Sequence, residues 1–251
     1  FAFAAEPWAD ARLPVVDGLQ VWLDATRENA ARSAAKMPLL GEDNDRVDTW
    51  HDASGNGRHV VQETAESRPR FHGDKDAAAM RFDGIDDYLA NAEWGADLGG
   101  LTVIIAAAPR ANAGDWRGFL SMNKHAANDY QSGLNLDLGP GATRQWETLN
   151  AEGPGFGGAV DLFDGAIDFG PLHVLSFATK SGQGETRAYL DGKPAGRRDR
   201  SPGKLRADRL TIGGRYFNNF AAAETHGQIE ADFAEVLIYD RVLTDEERAK
   251  V

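Results

Sequence analysis

The stretch TRAYLDG, residues 186–192, decides the predicted fold. Its apolar residues Ala188 and Leu190 point to one side of an extended chain, and the residues on either side of them point to the other. This alternation predicts a β-strand that is buried on one face. The pair Asp191-Gly192 follows, and it is the strongest short-range hairpin signal in the sequence because both residues tolerate the positive φ angles of a primed turn. The stretch therefore predicts two antiparallel strands joined by a tight turn.

The same kind of segment recurs along the whole chain. Short apolar runs are separated by Gly, Asp, Asn or Pro, and the 28 glycines supply residues for tight turns. Regular spacing of strands and turns predicts an all-β, two-sheet antiparallel β-sandwich. The clearest strand candidates are residues 19–25, 78–84, 101–109, 133–139, 172–180, 186–192, 209–214 and 233–241.

Helix signals are scarce in this sequence. Residues 27–36 predict a short surface helix, and Thr244 with Glu247 forms the capping-box pattern that opens a helix near the end of the chain. A length of 251 residues is ordinary for one sandwich, so we expect a single domain over residues 18–251. Residues 1–17 are predicted to form an N-terminal extension.

The first residues of that extension are similar to the end of an export signal, with an irregular N-terminus as the alternative interpretation. The segment FAFAAEPW, residues 1–8, has the form of the end of an apolar signal segment followed by a small-residue cleavage pattern. This pattern predicts that residues 1–17 include the remnant of a signal peptide.

Composition excludes several classes of partner and site. The chain has 39 acidic and 27 basic residues, and a net charge of −12 repels phosphate backbones and anionic membranes, so nucleic acid is not an expected partner. With no cysteine, the chain can form neither a disulfide framework nor a Cys-rich zinc site. A run of about 18 apolar residues is also missing, so we expect no membrane insertion.

Seven motifs in one order carry a resemblance to a known family. They are GLQVWLDA, WHDASGNGRH, RPRF, MRFDGIDDYL, AYLDGK, LTIGG and FAEVLIYDRVLTDEE, and they run from about residue 18 to the end of the chain. Together they resemble the laminin-G-like, concanavalin A-like jelly-roll domains of secreted bacterial proteins. The resemblance implies a concanavalin A-like jelly roll in a secreted, periplasmic or cell-surface protein, joined to other domains of a longer chain. This fold hosts lectins, adhesion modules, enzymes and structural modules, so it does not select one activity.

The motif WHDASGNGRH, residues 50–59, predicts a tight corner in the chain. Gly55 and Gly57 allow backbone angles that other residues resist, and Asp52 and Asn56 can bind the amides of the turn itself. A structural corner is therefore the first interpretation. The resemblance implies an alternative, because related jelly rolls carry a structural calcium near this corner, and Asp52 and Asn56 offer the oxygen ligands that Ca²⁺ takes.

Asp232 is the third candidate calcium ligand. Many relatives have an acidic residue directly before the Glu-Val of the last strand, where this chain has Ala234, and this departure weakens the calcium hypothesis. The acidic stretch EDNDRVD, residues 42–48, offers oxygen atoms at alternate positions but lacks the glycine and the final glutamate of an EF-hand, which favours a solvated loop. His51 and His59 flank the corner without the spacing of a zinc hydrolase, although they could converge on a metal.

An enzymatic alternative rests on Glu230, Asp232 and Glu235. These residues have the Glu-x-Asp-x-x-Glu spacing of laminarinase-type glycoside hydrolases, which share the concanavalin A-like fold, and the resemblance implies one glutamate as nucleophile and the other as acid/base. Simple alternation places Glu230 and Asp232 on one face of the strand and Glu235 on the other, so only a bulge would align all three. The hydrolase motif of those enzymes also lies mid-chain, whereas here it lies in the last strand.

Glycan binding is predicted from aromatic residues, which stack on the apolar face of a sugar, next to amides and carboxylates that bind its hydroxyl groups. The alternative for each aromatic residue is a place in the core. The candidates form two sets along the chain: Trp116, Asn123, Asn128, Asp129, Tyr130 and Trp146, and then Tyr216, Phe217, Asn218 and Asn219.

These observations predict a non-catalytic binding or adhesion module, with a polysaccharide or other glycan as the ligand. Two alternatives stay open: a glycoside hydrolase that uses Glu230 and Glu235, and a structural spacer domain. Calcium is the predicted cofactor if any is present.

Overall fold

The computed structural model describes residues 5–41, 43–73 and 77–251, and these residues form 22 β-strands. In chain order the strands are β1 (Leu19–Asp24), β2 (Asp43–Arg46), β3 (Thr49–Trp50), β4 (Val60–Val61), β5 (Arg70–Gly73), β6 (Ala78–Asp83), β7 (Leu89–Asn91), β8 (Ala96–Leu98), β9 (Gly100–Pro109), β10 (Asn112–Ala113), β11 (Gly118–Asn123), β12 (Leu134–Asp137), β13 (Ala142–Thr143), β14 (Asn150–Glu152), β15 (His173–Lys180), β16 (Gly182–Leu190), β17 (Lys193–Arg200), β18 (Leu205–Ala207), β19 (Arg209–Ile212), β20 (Arg215–Tyr216), β21 (Thr225–His226) and β22 (Glu230–Tyr239).

Two large sheets contain most of these strands. The nine-stranded sheet has the order β17-β16-β15-β9-β22-β6-β5-β2, with β1 also paired to β22, and the seven-stranded sheet has the order β14-β12-β11-β19-β7-β4-β3. Three further sheets have two strands each, and every pair of these strands is antiparallel. The predicted all-β, two-sheet antiparallel sandwich is therefore confirmed.

The hairpin that decided the prediction is present. Leu190 at the end of β16 pairs with Lys193 at the start of β17. Asp191 and Gly192 between them have φ angles of 48° and 75°, the two positive values that a type I′ turn requires.

The core lies between the inner faces of the two large sheets. Phe82 of β6 and Phe233 of β22, in the nine-stranded sheet, have ring centroids 5.1 Å apart. Phe119 of β11, in the seven-stranded sheet, lies 6.2 Å from Phe233. Gly213 follows β19 at φ 81°, where a β-carbon would come 2.3 Å from the Phe82 ring, so only glycine lets the sheets approach here.

A second apolar cluster covers the outer face of the nine-stranded sheet. It includes Trp22, Leu237 and Tyr239, and the side chains of Trp8 and Leu13 pack against it. The described part of the N-terminal extension therefore packs on the sandwich. Residues 1–4 of the export pattern lie outside the described residues, and the signal remnant stays a prediction.

Helices are few and short, as predicted. A 3₁₀ turn (Ala25–Arg27) leads into α1 (Glu28–Ala34), and the others are a 3₁₀ turn (Ala65–Ser67), α2 (Asp129–Ser132) and α3 (Asp245–Arg248). The capping box of α3 is formed, because the hydroxyl of Thr244 accepts from the Glu247 amide while the Glu247 carboxylate accepts from the Thr244 amide. Among the described residues, none of the helices has the length and apolar character needed to cross a membrane.

Candidate functional site

A buried arginine organises the outer face of the seven-stranded sheet. Arg215 of β20 is 2% exposed and donates to Asp129 through Nε at 3.1 Å and through Nη2 at 2.7 Å. Its Nη1 donates to Asp137 at 3.1 Å. The bidentate pair fixes the plane of the guanidinium group and joins α2 and β12 to β20.

Strand alternation places these groups on the outer face. Leu134 and Leu136 of β12 belong to the core, so Asp137 points away from it. Ala151 of β14 is likewise a core residue, so Glu152 also points outward. Both acids are thus presented to the side of the sheet that α2 partly covers.

The carboxyl groups in this cluster are strongly affected by burial. Burial raises the pKa of Asp137 to about 6, although Arg215 opposes the change. Burial also raises the pKa of Glu152. For Arg215, burial lowers the pKa, but the charges of Asp129, Asp137 and Glu152 outweigh it and the net direction is upward. The guanidinium group therefore stays protonated.

Aromatic side chains form the walls of a cavity above this cluster. The cavity has a volume of about 250 Å³ and is lined by Trp116, Tyr130, Glu152, Arg215, Phe217 and Asn219; we call it the aromatic cavity. The guanidinium carbon of Arg215 lies 4.6 Å from the Phe217 ring centre and 5.4 Å from that of Trp116. The cavity thus has an ionic floor and aromatic walls.

Trp116 is held in an unusual backbone conformation. Its φ angle is 58° and that of Asp115 is 64°, in the left-handed region that bulky residues rarely adopt. The amide of Trp116 donates to the Gly139 carbonyl, and the carboxylate of Asp115 pairs with His226 at 2.8 Å. Strain of this kind persists where surrounding contacts impose it, and it concentrates at binding sites.

A hydrogen-bonded loop forms the rim of the aromatic cavity. The Tyr130 hydroxyl donates to Asn219 at 2.8 Å and accepts from Asn128 at 2.8 Å. The side-chain oxygen of Asn218 accepts from the Phe220 amide, and this turn carries a Phe220 side chain that is 100% exposed.

The two predicted glycan-binding sets meet in part at this cavity. Trp116 and Tyr130 from the first set join Phe217 and Asn219 from the second. Asp129 is fully buried beneath them as the partner of Arg215. Asn128 and Asn218 hold the rim loop, and the Asn218 amide donates to the Asn128 side chain.

Three other predicted glycan-binding residues lie away from the cavity. Trp146 is 2% exposed and packs against Phe119 at 5.3 Å, so it is a core residue. Asn123 is fully buried, and its amide group donates to a backbone carbonyl. Tyr216 lies under the guanidinium group of Arg209, whose central carbon is 4.8 Å from the ring centre. Glu152, Arg215 and Phe220 were not predicted.

The corner at residues 50–59 is built from its own hydrogen bonds. Asp52 is fully buried, and its two carboxylate oxygens accept from the Trp22 amide, the Arg58 amide, and the amide and hydroxyl of Ser54, at 2.8–3.0 Å. Asn56 donates its amide to two backbone carbonyls at 3.1 Å. These bonds support the structural corner as the role of Asp52, and calcium binding by Asp52 and Asn56 stays a prediction.

The histidines of the corner are also held by the chain. His51 Nδ1 lies 2.8 Å from the buried Glu28 carboxylate, and His59 Nδ1 accepts from the Asp52 amide at 2.9 Å. The two imidazole rings are 5.0 Å apart. Each Nδ1 is thus occupied by a structural hydrogen bond.

Acidification is expected to destabilise the fold through His59. Burial lowers the pKa of His59 below 6.5, with the charge of His51 acting in the same direction. The unfolded chain therefore takes up this proton at higher pH than the folded chain, so the contribution of His59 to the free energy of unfolding falls as the pH drops below 6.5. Urea denaturation at about pH 7.5 and about pH 5.5 measures the difference.

The control for this prediction is His59→Asn, whose side-chain oxygen can accept the Asp52 amide without titrating. The variant is expected to lose less stability on acidification than the wild type. An equal loss in both proteins would show that other groups are responsible.

The three acids of the hydrolase hypothesis lie on β22. A register shift between Phe233 and Glu235 marks a bulge, and because Phe233 and Val236 both belong to the core, Asp232 and Glu235 both point outward. Asp232 receives two hydrogen bonds from Arg81, at 2.6 and 2.8 Å. The bulge that the hypothesis required is therefore present. The acids lie on the outer face of the nine-stranded sheet, whereas the aromatic cavity lies on the outer face of the seven-stranded sheet.

Each of these acids also has a protein partner. Glu235 accepts from the indole of Trp22 at 2.6 Å, and its burial raises its pKa. Glu230 lies 3.7 Å from Arg110, which also contacts Asp232 at 3.4 Å. Asp232 is also the third candidate calcium ligand. Its carboxylate is paired with Arg81 and Arg110.

Asp83, Asp86 and Asp87 form a further acidic group, at the end of β6 and in the turn that follows it. One carboxylate oxygen from each residue lies within 4.8 Å of the other two. Among the described residues, this is the one group of three acidic, histidine or cysteine side chains close enough to hold a metal ion. Asp87 is 3% exposed, and burial together with Asp83 raises its pKa to about 7. Carboxylate oxygens are ligands that Ca²⁺ prefers, but the sequence analysis did not single out this group. In the acidic stretch of residues 42–48, Glu42 lies outside the described residues, and Asp43–Arg46 form β2, which pairs with β5, so the expectation of a loop was wrong there.

The fold and the cavity define an antiparallel β-sandwich with an aromatic cavity on one outer face. No family model matches the sequence, and no curated protein matches it. Solved structures do share the fold.

Three solved structures illustrate the likeness. A Trypanosoma rangeli sialidase in complex with sialic acid is 12% identical over 99% of this chain and 35% of its own, with a TM-score of 0.59. Domain 4 of AbnA, an extracellular arabinanase from Geobacillus stearothermophilus, in complex with arabinotriose, is 13% identical over 91% and 95% of the two chains, with a TM-score of 0.53. The binding domain of botulinum neurotoxin DC in complex with SialylT is 10% identical over 94% and 52%, with a TM-score of 0.53. This chain spans about a third of the sialidase, and at these identities the likeness establishes the fold.

Proposed function

We propose that this protein is a non-catalytic carbohydrate-binding module that holds a glycan in the aromatic cavity. The observation that carries the proposal is the convergence of Trp116, Tyr130 and Phe217 around polar groups of Asn219 and Glu152. Aromatic rings stack on the apolar face of a sugar, and a few fixed polar groups bind its hydroxyls.

The walls of the cavity are fixed before a ligand arrives. Tyr130 is held through its hydroxyl by Asn128 and Asn219, and the Arg215 guanidinium is fixed by its bidentate bond to Asp129. Preorganised side chains lose little conformational entropy on binding, which favours affinity.

The solved structures with this fold support a carbohydrate ligand. One holds sialic acid, one holds arabinotriose, and one holds SialylT. The seven-motif resemblance to laminin-G-like jelly rolls supports the same class, and with it a secreted or cell-surface protein that has further domains. A structural spacer is the alternative if no ligand is found.

The direct test is affinity electrophoresis of the protein through gels that contain a panel of soluble polysaccharides, with calcium and with chelator. Release of reducing ends is assayed in the same gels. We expect retardation without cleavage. Absence of retardation in every gel would contradict the proposal, and loss of retardation in chelator would show that calcium takes part.

A glycoside hydrolase remains the second candidate because the bulge in β22 brings Glu230, Asp232 and Glu235 to one face. Against it, Asp232 is paired with Arg81 and Arg110, and Glu235 is bound by Trp22. A retaining mechanism needs one carboxylate free to attack the sugar and a second free to transfer a proton. In the pair Glu230 and Glu235, Glu235 is bound by the Trp22 indole and Glu230 lies 3.7 Å from Arg110, so each glutamate has a partner in the protein.

Glu235→Gln separates the two candidates. Glutamine keeps the side-chain oxygen that accepts from Trp22, so we expect glycan retention to stay within about twofold of the wild type. Retention is measured by affinity electrophoresis, and activity by reducing ends. Cleavage by the wild type that disappears in this variant would establish the hydrolase instead.

Phe220→Ala tests whether the rim takes part in binding. The side chain is fully exposed beside Asn219, so its removal is expected to weaken glycan affinity about two- to tenfold and to leave the unfolding midpoint unchanged. Calorimetric titration and urea denaturation measure the two quantities. Val174→Ala, a change at another exposed apolar residue, is the control. Equal affinities of Phe220→Ala and the wild type would exclude Phe220 from the site.

A further inference from the structure

Acidic groups outnumber basic groups around the aromatic cavity. The one cation that lines it is Arg215, and three carboxyl groups contact or approach this cation: Asp129, Asp137 and Glu152. With the carboxyl groups ionised, the cluster has a net negative charge. The whole chain, at −12, adds to the same potential.

The charge of Arg215 is already balanced within the protein. Its Nε, Nη1 and Nη2 all donate to buried carboxylates, and its guanidinium group lies near the rings of Trp116 and Phe217. A carboxylate on a sugar would meet a cation whose charge is already balanced by Asp129 and Asp137, which are both fully buried.

Arg198, the other cation near Glu152, is also engaged by the chain. Its guanidinium group donates to the carbonyls of Ala151, Phe156 and Gly158, and its carbon lies 5.1 Å from the ring centre of Phe156. The cation is thus directed at backbone oxygens.

Glu152 is the carboxylate that reaches the cavity. Its side chain is 17% exposed, whereas Asp129 and Asp137 are fully buried. Its nearest approach to Arg215 is 3.8 Å, which is longer than a hydrogen bond. An oxygen of Glu152 can therefore accept from a donor on a ligand.

We propose that the aromatic cavity selects sugars that carry a protonated amine, and that Glu152 is the residue that determines this selectivity. The inference rests on the proposed carbohydrate-binding function and names its ligand class. The amine donates to the Glu152 carboxylate in a charge-assisted hydrogen bond, while sugar carboxylates meet a cluster whose net charge is negative.

Three oligosaccharides test the inference: a glucosamine oligomer with free amines, the N-acetylated oligomer of the same length, and a galacturonic acid oligomer. Calorimetric titration of the full chain at about pH 6 is expected to give the tightest binding for the free amine, about tenfold or more tighter than for the N-acetylated oligomer. The uronic acid oligomer is expected to bind most weakly.

Glu152→Gln is expected to reduce the preference for the amine to about twofold or less while it retains affinity for the neutral oligomer. Glu147→Gln is the matched control because Glu147 is an exposed acid outside the cavity lining, and it is expected to keep the preference.

The preference is also expected to depend on pH. Burial raises the pKa of Glu152, and Arg215, Asp129, Arg198 and Asn150 all act on it. Binding of the amine is therefore expected to weaken when acidification protonates Glu152, and again when alkaline pH deprotonates the amine. The Glu152→Gln variant is expected to show a smaller acid limb, because Asp137, whose pKa is raised to about 6, still titrates beside Arg215.

The outcomes separate the inference from the proposed function. Equal affinity for the amine and N-acetyl oligomers, or tighter binding of the uronic acid oligomer, would overturn the inference while carbohydrate binding stands. Failure of all three oligomers would also overturn it. Failure of the polysaccharide panel as well would contradict the proposed function.

Discussion

Replacing Arg215 by methionine is expected to lower the free energy of unfolding by about 3–5 kcal/mol. The change leaves Asp129 and Asp137 fully buried without their cation, and a buried charge that has lost its partner is strongly destabilising. Since Asp129 opens α2 and bonds to β20, the walls of the aromatic cavity should lose their positions too. Urea denaturation of the variant and the wild type measures the effect.

Two further variants test this explanation. Arg12→Met removes an exposed arginine that pairs with Asp10, and it is expected to change stability little. A triple variant with Arg215→Met, Asp129→Asn and Asp137→Asn removes the unpaired charges as well, so it is expected to recover part of the loss. If Arg215→Met unfolded at the same urea concentration as the wild type, the ionic cluster would not be what holds this face together.

Trp116→Ala is expected to weaken glycan affinity about thirtyfold. The indole forms one wall of the aromatic cavity, and central aromatic residues dominate the energy of binding surfaces. Calorimetric titration with an oligosaccharide of the retained polysaccharide measures the loss. Trp8→Ala is the matched control because Trp8 packs on the outer face of the nine-stranded sheet, away from the aromatic cavity. The Trp8→Ala variant is expected to bind the glycan with the affinity of the wild type.

Trp116→Gly adds a test of the strained backbone. Glycine adopts a φ of 58° without the steric penalty that a residue with a β-carbon bears. Trp116→Gly is therefore expected to lose as much affinity as Trp116→Ala and to be at least as stable as Trp116→Ala. If both variants bound as tightly as the wild type, the cavity would not be the glycan site.

The fold was predictable because strand alternation and turn residues are local features of the sequence. Alternation in residues 186–192 and the Asp191-Gly192 turn both depend on neighbouring residues, and the structure shows them as predicted. The helix-opening role of Thr244 and Glu247 is local in the same sense. Patterns of this kind specify which face of a strand is buried and where the chain turns.

The site was predictable only in part, because it is made by long-range contacts. Arg215 binds Asp129, which is 86 residues away, and no local pattern marks a strand arginine as buried. Glu152 is one of many acids, and its role follows from the position of β14 at the edge of the sheet. Trp146 was predicted as a sugar-stacking residue, but the structure buries it in the core.

The bulge in β22 is a further feature that alternation could not supply. A strict period of two assigns Asp232 and Glu235 to opposite faces, whereas one extra residue brings both to the outer face. Only the pairing of β22 with its neighbours reveals this shift.

The most direct measurement is a crystal structure of the protein with an oligosaccharide from the polysaccharide that retards it. Binding in the aromatic cavity predicts a sugar ring within about 4 Å of the rings of Trp116 and Tyr130, with Arg215 still bound to Asp129. A sugar bound beside Glu230 and Glu235 on the opposite face, with the aromatic cavity free of it, would contradict the account.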